Sequence, residues 1–580
     1  MTISKVRPEL LGALRANLKS LAPSLVLGVT ASFLSVLAQV ASEHVAFLSQ
    51  GSWLRSFGLP IAWIGILKTS RISSFLGLRF YVYWWSFVQN WLFWTAVFFA
   101  VLFVWTALRG ELPFALLPTY VVGLSWARIQ LEFQMAIAAA GPIFAFARID
   151  PFSYAQIAAY FAMALLLFPA IVTLVSRLPF GEVFKLSCLG FPIILMPPLL
   201  DYYVLKRPVI YNFFVGEFYQ QMRGPLSYFT VLSPGIKIEI VLVSTMTFAY
   251  LLYRTHSLVR SPSAIIVAVL VFGAVSTPAV TSLLHLGLSQ PQLFAGYVLI
   301  AYGLTILDLG LAKPGIGRRI IKGIRLRGIH FPAMAVFGSF LMHPAILVSS
   351  IAEDFGLLIA SIFIVYLVWQ VATVFDDISD EDNKTELSGY LGYGGLIAVM
   401  AVLAGVPFGL EPLLLVFLAV CLAVGYPTLR RRHWLLSGLV IGVSTCLAFL
   451  FGTLVPFNSP SSPQPVALLA AAIFVIFSGG SLLKDITDVE GDRRSGIQTI
   501  FTRFETSIAL LIVASFVAVG FVLPAIFLHA LVDRALFLAM GIASWVLIIL
   551  AKDKSYKPVL SLYFVEGMWV FIRLFVIGSS

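Results

Sequence analysis

Apolar stretches of about 18–25 residues recur along the whole chain, each long enough to cross a hydrocarbon core of roughly 30 Å. In the C-terminal half nine of them follow one another: residues 330–350, 355–375, 389–406, 411–426, 434–455, 465–484, 506–528, 533–551 and 558–578. Short polar turns separate them, and the pattern predicts nine membrane-spanning helices. Upstream, long apolar runs occur near 21–48, 80–108, 154–176, 184–200, 237–253, 262–284 and 291–312. The pattern there is less regular and predicts roughly seven to ten spans. Two Pro-containing segments, 196–208 and 223–235, read as re-entrant or interfacial. Tyr81, Tyr83, Trp84, Trp85, Trp91 and Trp94 form an aromatic concentration of the kind found at headgroup level.

Between the halves lies a strongly basic loop, Ala312 to Gly328, with Lys313, Arg318, Arg319, Lys322, Arg325 and Arg327. We place a domain boundary there: an N-terminal multi-helix membrane domain over 1–312 and a second domain over 318–580. If the basic loop is cytoplasmic, alternate turns of the nine-segment half face outward and carry one Lys or Arg between them. The inward turns then hold Tyr426 to His433, with Arg430, Arg431 and Arg432, and the Lys-rich turn Ala551 to Lys557. This is the distribution expected of cytoplasmic loops. The N-terminal Lys5, Arg7, Arg15 and Lys19 precede an apolar run without a small-residue cleavage site, which reads as an uncleaved first helix with a cytoplasmic N-terminus.

Composition agrees with the pattern. The chain is 60% hydrophobic and 11% charged, with a mean hydropathy of +0.97. Together these define an all-α polytopic membrane protein. The net charge of +11 reads as membrane topology. No basic stretch interleaved with stacking aromatics suggests a nucleic-acid partner. Cys188, Cys421 and Cys446 are widely spaced within apolar runs and read as small core residues.

Against this background two acidic clusters stand out. One runs from Val374 to Glu386 (VFDDISDEDNKTE), the other from Lys484 to Gly496 (KDITDVEGDRRSG), and together they hold ten of the chain's 27 acidic residues. An acid at the centre of a membrane helix costs roughly 2.5–3.5 kcal/mol, so such residues persist only if paired, hydrated or bound to a cation. The topology above puts both clusters on the inward side, after the second and sixth segments. If each continues its preceding helix, Asp376 and Asp377 align with Asp380, and Asp485, Asp488 and Asp492 form one stripe. Two facing stripes of carboxylates without soft ligands suit Mg²⁺, which commonly takes one or two carboxylates plus substrate phosphates. The chemistry this suggests is the handling of a membrane-attached diphosphate. Lys384, Lys484, Arg493 and Arg494 are placed to clamp its oxygens, and aromatic faces to stabilise an allyl cation.

These residues resemble the UbiA superfamily of intramembrane prenyltransferases, over about 318–580. KDITDVEGDRRSGIQT is similar to that family's second Asp-rich motif, and Tyr426 with Arg430 to Arg432 is similar to its basic loop after helix four. The resemblance implies a nine-helix bundle and Mg²⁺-dependent transfer of an isoprenoid group from an allylic prenyl diphosphate donor to an aromatic or lipid acceptor. It implies that Asp485, Asp488 and Asp492 are metal-linked, that Asp376, Asp377 and Asp380 form the first motif, and that Lys484, Arg493, Tyr426 and Arg430 face substrate. The first motif departs from the family pattern: Asp376 replaces an Asn and Lys384 replaces its last Asp. Two alternatives follow, a non-catalytic lipid-binding or transport protein with a degenerate site, or a transferase using another donor such as phosphoribosyl diphosphate. Residues 1–312 lie outside the resemblance and their role stays open: their length suits a second, acid-poor copy of a similar helical bundle, or an accessory domain that docks lipid, acceptor or a partner protein.

Overall fold

The computed structural model describes residues 44–48, 52–57, 64–68, 78–82, 84–109, 112–140, 151–204, 232–275, 290–312, 315, 318, 320, 328–347, 352–380, 387–457, 466–495, 497–526, 530–551 and 556–575. The chain divides into two compact units, Leu11–Arg319 and Ile320–Ser580. Among the described residues eleven helices are long and apolar enough to cross a membrane. The polytopic helical architecture is the expected one. The apolar run at 21–48, most of the basic loop after 312, and Lys384 lie wholly or mainly outside the described residues.

In the N-terminal unit four strands come first: β1 His44–Leu48, β2 Ser52–Phe57, β3 Ile64–Lys68 and β4 Leu78–Val82. They pair in sequence order as an antiparallel meander, an addition the hydropathy pattern did not foresee. Helices follow: α1 Trp84–Arg109, α2 Leu117–Ala140, α3 Pro151–Ser176 and α4 Phe180–Gly190. A 3₁₀ stretch, Phe191–Leu195, leads into the short α5 Met196–Leu199. Then come α6 Pro234–Thr255, α7 Arg260–Val275 and α8 Gln290–Ala312.

The path from 180 to 202 forms one apolar stretch, irregular where Pro192, Pro197 and Pro198 each remove a backbone donor. The freed groups are satisfied from neighbouring elements. Arg128 of α2 donates to the Ile194 carbonyl and forms a 2.6 Å ion pair with Glu132 one turn along its own helix. Tyr120 donates to the Cys188 carbonyl at 2.6 Å. Asp201 accepts from the Ser233 hydroxyl and the Gly235 amide, both at 2.6 Å, and so ties the irregular segment to α6. The readings of 196–208 and 223–235 as re-entrant or interfacial fall partly outside the described residues. Within them, 196–204 continues a helical path.

The C-terminal unit contains nine helices of 13 residues or more among its described residues, seven of them long and apolar enough to cross a membrane. They are α9 His330–Met342, α10 Ala352–Asp380, α11 Leu387–Gly405, α12 Leu410–Arg430 and α13 Leu436–Thr453, followed by α14 Val466–Lys484, α17 Thr506–Val522, α18 Leu531–Ala551 and α19 Tyr556–Phe575. Two short helices, α15 Val489–Ser495 and α16 Ile500–Arg503, lie between α14 and α17. In a membrane, helices associate by close packing of small residues. A Cβ on Gly452 of α13 would collide with the Ala335 carbonyl of α9, and one on Gly442 with the Phe474 carbonyl of α14. Gly479 of α14 sits against Val517, and Gly520 of α17 against Ile476, so these two helices run antiparallel. Phe449, Leu482, Leu483, Val513, Val517 and Phe521 fill the core between them. Cys188 is buried and Cys446 half-buried, but Cys421 is exposed. It sits on the outward face of an apolar helix, so it is not the core residue expected.

Candidate diphosphate and metal site

The first acidic cluster occupies the end of α10, which runs to Asp380 and has no basic residue in its last turn. Carboxylates there oppose the helix dipole, whose negative end is the C-terminus. The sequence thus concentrates negative charge where local structure disfavours it, which points to a cation supplied from outside the helix.

In the second cluster the chain tightens into a 3₁₀ turn over Asp485–Asp488 before α15 begins. This differs from the uninterrupted helix expected. Asp492 falls in the first turn of α15, where the dipole favours it. Asp492 is only 3% exposed. Asp485 Oδ2 is buried and takes no hydrogen bond, with the Ser437 hydroxyl beside the carboxyl.

Arg430, the last residue of α12, joins the two clusters. Its guanidinium lies 3.5 Å from Asp376 Oδ1 on one side and 3.3 Å from Asp492 Oδ1 on the other. Tyr426, one turn earlier, lies within electrostatic reach of Arg430, Asp376, Asp485 and Asp492. Asp485 is in turn within reach of Asp492, Arg430 and Lys484. The end of α10, the end of α12 and the segment after α14 therefore converge at one end of the bundle.

Among the remaining sequence-predicted residues, Asp377 accepts a 3.3 Å hydrogen bond from the Tyr390 hydroxyl. Lys484 and Arg493 are exposed at the rim. Asp380 and Asp488 take their places in the backbone of α10 and the 3₁₀ turn, while their side chains lie outside what is described. Sequence reasoning missed Tyr390 and Ser437. Tyr390 is paired with Tyr393, stacked at 6.1 Å, and the YLGY run after the acidic loop was the available signal. Ser437 had none, because only packing of α13 against α14 brings it to Asp485.

Whether Mg²⁺ fits can be judged from these donors. Among the described residues no three carboxylates converge on one point. Mg²⁺ does not require that, since it takes one or two carboxylates and completes its shell with water and phosphate oxygens. The buried, unbonded oxygen of Asp485 is a donor of the right hardness, and Asp377 faces the same end of the bundle. The donor set fits.

The class of domain this defines is a membrane-embedded helical bundle with facing aspartate motifs at one end. Residues 386–565 match the UbiA prenyltransferase family, which bears out the resemblance read from the sequence. The match marks this stretch as similar to UbiA-type prenyltransferases. The match includes the second motif and begins just after the first. The chain is 27% identical over 247 residues to the digeranylgeranylglyceryl phosphate synthase of Methanothermobacter thermautotrophicus, covering 39% of this chain and 86% of that protein. Two solved structures are also similar. One comes from work on the biosynthesis of digeranylgeranylglyceryl phosphate synthase in membranes (18% identity, TM-score 0.35, covering 45% of this chain and 97% of that one). The other is a UbiA homologue from Aeropyrum pernix K1 without ligand (19% identity, TM-score 0.34, covering 43% and 99%).

Proposed function

We propose that the C-terminal unit transfers an isoprenoid group from an allylic diphosphate, held with Mg²⁺ between the two aspartate clusters, to an aromatic or lipid acceptor. The observation that carries this reading is the meeting of Asp376 and Asp492 on Arg430, beside Asp485 and Tyr426. Bound Mg²⁺ would neutralise the leaving diphosphate and act on it as a Lewis acid. Asp377 and Asp485 are its proposed direct ligands, with Asp380, Asp488 and Asp492 completing the two bands. Arg430 fixes the spacing between the bands by pairing with one carboxylate from each. Lys484 and Arg493, exposed at the rim, meet the diphosphate oxygens as it enters; Lys384 belongs to the same rim in sequence. The apolar helices take the isoprenoid chain. The proposed side is the cytoplasmic one, because Arg430, Arg431 and Arg432 cluster at the same end as the aspartates. A lipid acceptor is supported by the similarity to a synthase named for a glyceryl phosphate product.

The purified full chain, given geranylgeranyl diphosphate, Mg²⁺ and a lipid extract, should release diphosphate, and Asp485→Asn and Asp377→Asn should each slow the release by about 10²–10³-fold. If both variants release diphosphate at the wild-type rate, the reading fails. One observation favours a second reading, a lipid-binding protein without turnover. Arg430 already neutralises part of the site, and the family match begins after the altered first motif. Donor binding with no Mg²⁺-dependent release would favour it.

A further inference from the structure

Deeper in the same bundle, α19 carries two polar side chains that the site above does not use. Both carboxyl oxygens of Glu566 and the hydroxyl of Tyr563 are buried and make no hydrogen bond among the described residues. Glu566 is 2% exposed. The two stand at i and i+3, on one helix face, close enough to interact electrostatically. Leaving such groups unsatisfied in an apolar interior is costly, and in native proteins each calls for an explanation. An acid inside a membrane bundle by default marks a functional site.

Their depth can be read from the packing. A Cβ on Gly480 of α14 would touch the Tyr563 ring at 3.6 Å. Gly480 precedes Asp485 by five residues, about 7.5 Å along the helix. The start of α18 pairs with the end of α19 through Asp533, Trp569 and Arg573, so α18 and α19 are antiparallel. Gly541 of α18 packs on Ala518, Phe521 and Val522 of α17, and the Tyr563 ring stacks on Phe521 at 4.4 Å. Helix α19 thus runs away from the aspartates as its numbering rises, and Glu566 lies one turn deeper than Tyr563. Helical side chains lean toward their own N-terminus, which carries the Glu566 carboxyl back toward the Tyr563 hydroxyl and the aspartate end.

We propose that Tyr563 and Glu566 form a hydrogen-bonding site for the hydroxyl group of a neutral, lipid-like acceptor. Naming that guest the acceptor rests on the transferase reading above; recognition of a hydroxyl does not. Together the pair offers a donor and acceptors at a depth just below a diphosphate seated on the aspartates. The apolar walls around it, Phe521 among them, suit a hydrocarbon tail. The Glu566 carboxyl itself disfavours an anionic headgroup there.

The test uses the full chain in nanodiscs, with geranylgeraniol and its methyl ether as probes. Farnesyl thiodiphosphate with Mg²⁺ serves as the donor-site control. The wild type should bind the alcohol about five- to tenfold more tightly than the ether, the scale of one hydrogen bond. Glu566→Leu should erase that preference, Tyr563→Phe should reduce it, and Glu566→Gln should keep part of it, since an amide still donates and accepts. Unchanged thiodiphosphate binding shows that a variant is folded; if Glu566→Leu fails this control, Tyr563→Phe and Glu566→Gln carry the test. The inference is overturned if the wild type does not distinguish alcohol from ether, or if the folded variants keep the full preference. Failure of the wild type to bind the thiodiphosphate would instead remove the donor reading and leave the alcohol result to be judged separately.

Discussion

Replacing Arg430 by Gln tests whether one side chain holds the two aspartate clusters together. The guanidinium sits 3.5 Å from Asp376 and 3.3 Å from Asp492. At an effective dielectric constant of about 20, each contact corresponds to roughly 5 kcal/mol of Coulomb attraction before desolvation is subtracted. The Asp376 side chain is 27% exposed and Arg430 22%, so water screens that pair and its net share is at most about 1 kcal/mol. Asp492 differs: its side chain is 4% exposed, and removing one partner of a buried charge costs about 3–5 kcal/mol. Arg430→Gln should therefore lose about 3–5 kcal/mol, most of it through Asp492. Asp492→Asn should recover part of this, giving a coupling of about 1–3 kcal/mol in a double-mutant cycle. The assay is equilibrium unfolding in mixed micelles without added divalent metal. If Arg430→Gln lies within about 1 kcal/mol of wild type and is additive with Asp492→Asn to about 0.5 kcal/mol, the bridge does not hold the clusters.

Other outcomes follow from the same structure. Chelation with EDTA should stop diphosphate release and added Mg²⁺ should restore it; release that survives chelation excludes a metal step. Asp485→Asn should lower the diphosphate release rate by about 10²–10³-fold, as loss of one electrostatic stabiliser does elsewhere, while leaving the unfolding midpoint near wild type. Gly452→Leu should destabilise the C-terminal unit by about 3 kcal/mol through its clash with the Ala335 carbonyl, whereas Gly123→Ala, whose Cβ would meet Ala96 at 3.4 Å, should cost much less. Both can be read as shifts in thermal denaturation. Arg128→Met should cost about 3–5 kcal/mol by removing one partner of the buried Glu132 carboxylate, and Arg128→Met with Glu132→Leu should recover most of that loss.

Most of the C-terminal unit was legible because hydropathy reports spanning helices directly. The nine apolar segments end within a few residues of most of the observed helices, and α10 reaches Asp380 as its charge pattern suggested. In the N-terminal unit α2 escaped notice. Arg128, Gln130 and Glu132 interrupt its apolar run, and only packing against the irregular 191–204 segment explains why this helix carries a buried ion pair. The β-meander was equally hidden, since an apolar run does not by itself distinguish strand from helix. At the site, residue types and spacing identified the aspartates and Arg430. The bridging role of Arg430 was not legible, because it depends on contacts across 54 and 62 positions of sequence. Glu566 and Tyr563 gave no signal either: one acid and one phenol in an apolar helix look unremarkable until their hydrogen bonds are counted.

The most direct test of the central claim is a structure of the full chain with Mn²⁺ in place of Mg²⁺ and a thiodiphosphate donor analogue, with the metal located by its anomalous signal. The account predicts metal between the end of α10 and the Asp485–Asp492 segment, contacting Asp377 or Asp485, with the diphosphate bound to it. Metal and diphosphate located elsewhere, or a diphosphate held by basic side chains alone with no metal at the aspartates, would contradict it.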